Sequence, residues 1–347
     1  MEIRPVKKSE WEKLKEFNAV EYRADHILTN PVYYDWQFDA PWNKNKDLYE
    51  TLGVFGARDS LVGTFGLFSA PYNYRGTSVM GSQLCNLIVK KELRALGYGY
   101  LLLEKASALN PLTIDHTIND TAWTMFAKAG WQKENLSRWL YIIKPETDLY
   151  SLSAPKKTTV MKDGWHFDKV SEFGPEMDEF WNNVKHRYPI TVERSSQYLN
   201  WRFAKNPLVQ YLTFVARSGK GVVGLVIVRS ENVKNEKGPM GVKVARIVDF
   251  IAEESAEGFV LSRTTEYARE NSFDFIDYFS SGDFHKKGLV AGGFEKGDKS
   301  AFSGLPILFN PVSFKRARLN FAVYSKERTK LADWYTTKGG GDQDRSY

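Results

Sequence analysis

The sequence predicts an α/β protein built from two copies of one domain in tandem. Three observations predict this. Motifs recur in the same order at a nearly constant offset. Within each copy, helix-start and hairpin signals alternate with short apolar runs. The 347 residues, 42% hydrophobic and 14% aromatic, are enough to fill two packed cores.

The repeat begins with Tyr33-Tyr-Asp-Trp36-Gln-Phe38, which returns as Tyr198-Leu-Asn-Trp201-Arg202-Phe203. Val54-Phe-Gly-Ala-Arg58 returns as Phe214-Val-Ala-Arg217, and Leu61-Val-Gly63 as Val222-Val-Gly224. Asn86-Leu-Ile88 matches Asp249-Phe-Ile251, and Ala129-Gly-Trp131 matches Gly292-Gly-Phe294. Subtracting equivalent positions gives offsets of 165, 159, 161, 163 and 163. Five pairs in register define two domains, 1–150 and 165–330. A Ser-, Pro-, Lys- and Thr-rich linker at 151–164 joins them, and a polar tail at 331–347 follows.

The first copy opens on a strand, Ile3 to Val6, then a helix capped by Ser9 with Glu12 three residues on. Asn30-Pro31 starts a second helix, which carries the Tyr-x-x-Trp motif; Ser195-Ser196 does the same in the second copy. Strands follow at Leu52 to Arg58 and Leu61 to Ser69 about the turn Asp59-Ser60, then at Val79 to Val89. A glycine turn and a helix from Tyr98 come next, then strand Leu112 to Ile118, helix Thr121 to Ala129 and a last strand, Trp139 to Ile143. The second copy reads as a helix from Pro175, a hairpin at Ser218-Gly-Lys-Gly221 and a strand Val242 to Ala252. Helix Ala256 to Asn271, strand Phe273 to Phe279, helix Phe284 to Ala291 and a strand within Ser313 to Tyr324 complete it.

The single cysteine, Cys85, excludes an internal disulfide and speaks against a cysteine metal site, so no metal is expected. No signal-peptide core or membrane-length apolar run is present, which points to a cytoplasmic protein with no membrane partner. The net charge of +6 is scattered among 42 acidic residues. It reads as a surface excess that suits a phosphate-rich small ligand, with no nucleic-acid partner expected.

The turn Arg94-Ala95-Leu96-Gly97-Tyr98-Gly99 lies between an apolar strand and a helix. Backbone N–H groups at a helix N-terminus suit a pyrophosphate, and the two glycines allow close approach. The third glycine of a dinucleotide fingerprint and the lysine of a P-loop are both absent. With that placement, the turn resembles the Arg/Gln-x-x-Gly-x-Gly/Ala acetyl-CoA loop of the GNAT acetyltransferases. Asn119, Ala122, Phe126 and Gly130-Trp131 stand at further family spacings, with Phe126 where the family carries tyrosine. The second copy places Glu253-Glu-Ser-Ala-Glu-Gly258 at the loop, three carboxylates that repel a pyrophosphate.

The resemblance implies two GNAT domains, each a mixed, mostly antiparallel twisted sheet flanked by helices, with acetyl-CoA or another acyl-CoA held by the first alone. It implies that pantetheine pairs along Leu87, Ile88 and Val89, that the 94–99 loop holds the pyrophosphate, and that Asn119 and Phe126 lie beside the cofactor. For proton transfer, Asn119, His116 and Glu21 are the candidates; Asn119 reads equally as a helix cap and His116 as a solvated histidine. The Tyr-Leu-Asn-Trp-Arg-Phe form and the terminal Asp342-Gln-Asp344-Arg345 resemble tandem proteins of bacterial surface-polysaccharide synthesis. That points to an amino-sugar acceptor contacted by Trp36, Tyr198, Trp201, Arg202, Asp342, Asp344 and Arg345. Two alternatives stand beside an N-acetyltransferase of small-molecule amines, acting as monomer or homodimer: an aminoacyl transferase using aminoacyl-tRNA, and a non-catalytic acyl-CoA-binding module.

Overall fold

The computed structural model describes residues 1–153, 159–315 and 318–341. The first half contributes β1 (Glu2–Lys7), β2 (Leu48–Phe55), β3 (Leu61–Tyr74), β4 (Thr77–Val89), β5 (Leu112–His116), β6 (Gln132–Asn135) and β7 (Ser137–Ile142). Its helices are α1 (Trp11–Glu21), α2 (Pro31–Phe38), α3 (Tyr98–Leu109) and α4 (Asp120–Lys128). After a small hairpin of β8 (Glu146–Thr147) and β9 (Tyr150–Ser151), the second half repeats the order. It has β10 (His166–Val170), α5 (Pro175–Val184), β11 (Ile190–Val192), α6 (Ser196–Leu199), β12 (Tyr211–Ser218), β13 (Gly221–Asn235) and β14 (Gly238–Ala252). Then come α7 (Glu257–Glu270), β15 (Phe275–Ser280), α8 (Lys286–Ala291), β16 (Glu295–Lys296), β17 (Leu308–Phe309), β18 (Val312–Ser313) and β19 (Asn320–Ser325).

Asn30 caps α2 by accepting the N–H groups of Val32 and Tyr33, with Pro31 in the first turn, and Ser195 caps α6 by accepting from Tyr198. The expected Ser9 cap of α1 is not formed. Arg4 grips the Glu10 carboxylate through two nitrogens, at 2.8 and 2.7 Å, and that carboxylate also accepts the Lys7 N–H. Only the carboxylate half of a capping box therefore forms, from the Lys7 N–H to Glu10, around a short 3-10 turn that precedes α1.

The two main sheets have matching orders. The first runs β1-β2-β3-β4-β5-β19-β6 and the second β10-β12-β13-β14-β15-β7-β16. All pairs are antiparallel except β4 with β5 and β14 with β15. The seventh and last long strands are exchanged between halves. β7, expected as the final strand of the first copy, pairs Phe275 to Ser280 of β15. β19, expected in the second copy, pairs Leu112 to His116 of β5 and also borders β6. Only Leu136 separates β6 from β7, too little chain to turn back, so the strand bends from one sheet into the other. Strand periodicity does not record which sheet a strand enters, and the sequence reading missed the exchange.

The halves share one core. Phe68, Ala70, Tyr72, Leu112 and Ile114 of the first sheet pack in the same cluster as Phe180, Trp181, Tyr198 and Trp201 of the second half. The repeated tryptophans meet each other: Trp36 Nε1 donates to the Trp201 carbonyl at 2.9 Å, and Trp201 Nε1 to the Trp36 carbonyl at 3.0 Å. Such a reciprocal contact marks a pseudo-twofold relation between the copies. The opposite face of the first sheet packs Leu52, Val54, Phe65 and Leu84 against Leu102, Leu103 and Ala106 of α3.

Candidate functional site

β4 and β5 are paired in parallel only from Gly81–Leu112 to Leu84–Asp115. Beyond Leu84, β4 continues to Val89 with a bulge against β3, where Asn86 takes φ +59°, and the two strands part. Among the described residues no strand pairs with the β5-facing edge of Leu87, Ile88 and Val89. This leaves an unpaired strand edge of the kind an extended ligand can join. The turn that follows is a 3-10 segment, Lys91–Leu96, ending at Gly97 with φ +80°, from which α3 starts. Arg94 Nε donates to the Val89 carbonyl at 2.9 Å and ties the turn to the strand end. No atom lies within 4 Å of where a Cβ of Gly97 would stand, so the first turn of α3 is open to an approaching anion.

The second half builds the same fork and fills it. β14 pairs β15 only up to Ile247–Tyr278 and then continues to Ala252. A strap of the chain, Trp334 to Gly341, enters the gap. Thr337 bridges Ser280 in antiparallel fashion, the Thr336 N–H donates to Ser281 Oγ at 2.8 Å, and the Tyr335 hydroxyl donates to the Phe250 carbonyl. Thr337 Oγ1 donates to Asp249 Oδ1 at 3.1 Å, and Asp249 is held in turn by both Arg194 Nε and Nη2 at 3.1 Å. A Cβ on Gly339 would sit 2.7 Å from the Val248 carbonyl, which only glycine avoids.

At the N-terminus of α7, where the first half has its glycine turn, Glu257 turns inward. It accepts from Arg187 Nη2 at 2.6 Å and lies 2.8 Å from His285 Nδ1. Burial acts to raise the Glu257 pKa, but His285 and Arg187 outweigh it and hold the carboxyl below its usual value. Of the three expected carboxylates, Glu257 is the one locked inside; Glu254 points to Lys287 at the surface, 3.2 Å away.

The other expected site residues fall in several places. Asn119 caps α4, its Oδ1 accepting the Ala122 N–H at 2.8 Å. Phe126 is 1% exposed and packs edge-on to Trp131 at 5.0 Å, inside the α3 core. Glu21 ends α1, half-buried, one residue before Tyr22, whose hydroxyl donates to the Asn86 carbonyl of the fork segment at 3.4 Å. His116 is buried at the end of β5, with Nε2 2.9 Å from Thr336 Oγ1 of the strap. Burial, reinforced by the Arg202 charge, lowers its pKa to about 3, so the ring is neutral. Trp36, Tyr198, Trp201 and Arg202 come together between the halves. Arg202 donates to the carbonyls of Gly339 (3.0 Å) and Gly341, and its guanidinium lies over the Trp36 ring at 5.2 Å. Asp342, Asp344 and Arg345 lie outside the described residues. The structure thus brings His116, Trp36 and Arg202 together.

Sequence reasoning missed the strap. Its signals were the aromatic pair Trp334-Tyr335 just ahead of the polar tail, and the run Gly339-Gly340-Gly341. Among the described residues no helix is long and apolar enough to cross a membrane, and no group of three or more His, Cys, Asp or Glu is placed to hold a metal ion.

No protein-family model and no curated protein sequence matches the chain. Solved structures do. A GCN5-related N-acetyltransferase from Anabaena variabilis superimposes with a TM-score of 0.59 at 10% identity, over 92% of this chain and 72% of that one. A probable N-acyltransferase from Enterococcus faecalis gives 0.58 at 11% identity, over 92% and 71%. Saccharomyces cerevisiae N-myristoyltransferase, solved with bound myristoyl-CoA and inhibitors, gives 0.54 at 13% identity, over 93% and 80%. Each match spans both halves, and the chain has the fold shared by the GCN5-related N-acetyltransferases.

Proposed function

We propose that this protein is an acyltransferase that moves the acyl group of an acyl-CoA, held in the first fork, to the amine of a small acceptor such as an amino sugar. The observation that carries this is the contrast between the forks: the first keeps a free strand edge and an exposed glycine turn, and the second is filled by the protein itself. In this reading the pantetheine lies along Leu87 to Val89, and its pyrophosphate on the first turn of α3 behind Gly97. Backbone N–H groups of that strand edge stabilise the oxyanion as the thioester carbonyl is attacked. The amine nitrogen forms the C–N bond, the C–S bond breaks, the amine gives up a proton, and the CoA sulfur leaves and is protonated. Phe126 offers no proton and faces the core, so the sulfur takes its proton from water.

The test is direct. Calorimetry with acetyl-CoA and longer acyl-CoAs is expected to show one site per chain. Thiol release is expected when amino sugars are added. Acyl-CoA binding with no thiol release from any amine would favour the non-catalytic binding module, an outcome Phe126 makes worth checking. Two sites per chain would contradict the assignment of the second fork.

A further inference from the structure

Three buried hydrogen-bond acceptors lie on the inner face of the first sheet without partners among the described residues: Gln37 Oε1, Gln83 Oε1 and His116 Nδ1. Their residues are 0%, 1% and 4% exposed. Gln83 on β4 stands in register with Phe68 on β3 and with Ile114 on β5, all on the face that meets the second half. The next inward residues along those strands are Cys85 and His116. Because the strands part after Leu84–Asp115, these two stand just past the branch point, on either side of the fork. Gln37 reaches this place from α2, its Nε2 3.9 Å from Cys85 Sγ. Neighbouring strands lie about 4.8 Å apart and same-face residues about 6.7 Å apart, so Gln83 and His116 fall within one small patch, which Gln37 borders through Cys85.

The orientation of Gln83 is fixed from behind. Gln83 Nε2 donates to the Leu84 carbonyl at 3.0 Å, which identifies the outward atom as Oε1. Neutral His116 carries one ring proton; in the tautomer that places it on Nε2, shared with Thr336 Oγ1, Nδ1 is left to accept. A buried acceptor without a donor costs about 1–3 kcal/mol, and folded proteins contain few of them. Three on one patch, beside the place where the thioester carbon would lie, form a template for a ligand that brings donors. The patch is closed by the glycine end of the strap: a Cβ on Gly341 would lie 2.6 Å from His116 Nδ1. That end is held by its carbonyls to Arg202.

Building on the acyltransferase reading, we propose that a polyhydroxylated amine binds on this inner face. Its hydroxyl and amine donors fill Gln37, Gln83 and His116 when the Gly340–Gly341 end of the strap moves aside. The nitrogen then stands at the branch point of the fork, opposite α3, in line with an acyl group lying between β4 and β5.

The experiment pairs two probe amines of similar size, glucosamine and cyclohexylamine, with acetyl-CoA and the full chain, reading thiol release. A site built to hydrogen-bond hydroxyls is expected to favour glucosamine by about 10-fold or more in kcat/KM. Gln37→Met and Gln83→Met keep the volume and remove the empty acceptor. Each is expected to cut that preference to about 2-fold, with acetyl-CoA affinity unchanged and thermal stability equal or higher. A merely structural glutamine would leave the preference intact, and that result overturns the proposal. So does a wild-type chain that binds acetyl-CoA but turns over neither amine, or both equally; the acyltransferase reading survives those outcomes. Failure to bind acetyl-CoA at all sinks both.

Discussion

In the first sheet, β4 runs five residues past its last pairing with β5, from Cys85 to Val89; in the second, β14 runs five past its last pairing with β15, from Val248 to Ala252. The length and pairing of the strands are alike, and the contents are opposite. Among the described residues the first fork has an unpaired edge, and its helix starts from a bare glycine. In the second, Thr337 bridges Ser280 and Glu257 occupies the helix start, bound to Arg187 and His285. Of two forks of like shape, the second serves as an anchor. The strap it anchors continues to His116 and Arg202, where it forms a wall of the first copy's fork. The second half therefore acts on the first by holding a piece of chain in place.

The largest expected effect comes from loosening that anchor. Asp249 is the equivalent of Asn86, and Asp249→Asn copies the first half into the second. It leaves Arg194, buried at 2% exposure, without its countercharge. Breaking one side of a buried ion pair costs about 3–5 kcal/mol, read as a shift in the denaturant midpoint. Unchanged stability would mean that the Arg194–Asp249 pair does not secure the strap. Gly97→Glu attacks the other fork by making its turn resemble the second half's. At φ +80° any side chain is strained, and a carboxylate at the helix start repels a pyrophosphate. Acyl-CoA affinity is expected to fall at least about 100-fold by calorimetry, with the fold retained by circular dichroism. Retained affinity would move the cofactor elsewhere.

The comparison also shows what a sequence can and cannot disclose. Local signals fixed local structure: Asn30-Pro31 and Ser195 cap their helices, Ser218 pairs Gly221 across the expected hairpin, and Gly97 is left-handed where the turn needs it. The five-motif register anticipated the matching strand orders of the two sheets, because packing of equivalent elements keeps their order. What stayed hidden depends on long-range contact. β7 and β19 have ordinary strand patterns, and nothing in them says which sheet they join. Thr336 and Thr337 read as a polar tail because their partners, His116, Ser281 and Asp249, lie 55 to 220 positions away. Gln37 and Gln83 carried no sequence signal at all. They stand out only once their lack of donors is visible.

Phe126 sharpens the contrast with a smaller effect. Restoring tyrosine at this position adds a hydroxyl to a side chain packed against Trp131 at 1% exposure. Burying it without a partner costs about 1–2 kcal/mol, and acyl transfer is expected to gain nothing. A faster Phe126→Tyr enzyme would place this ring beside the leaving sulfur and out of the core.

The smallest effect concerns the branch point itself, where the first half has His116 and the equivalent position of the second has Phe279. His116 titrates at about 3 in the folded chain against an ordinary value of 6.5. Between those limits the unfolded chain binds the extra proton, so stability drops as pH falls from 6.5 towards 3. His116→Leu, which makes the first fork apolar here as the second already is, should flatten that slope. At pH 5 the difference amounts to about 1–2 kcal/mol. In the folded chain the ring is already neutral throughout the range around pH 6.5, so the rate of acyl transfer should show no inflection there from this residue. It should instead rise with the fraction of neutral acceptor amine, a fraction that the Arg202 charge beside His116 increases by disfavouring an ammonium. An inflection near 6.5 that disappears in His116→Leu would show that the ring meets solvent before the amine covers it.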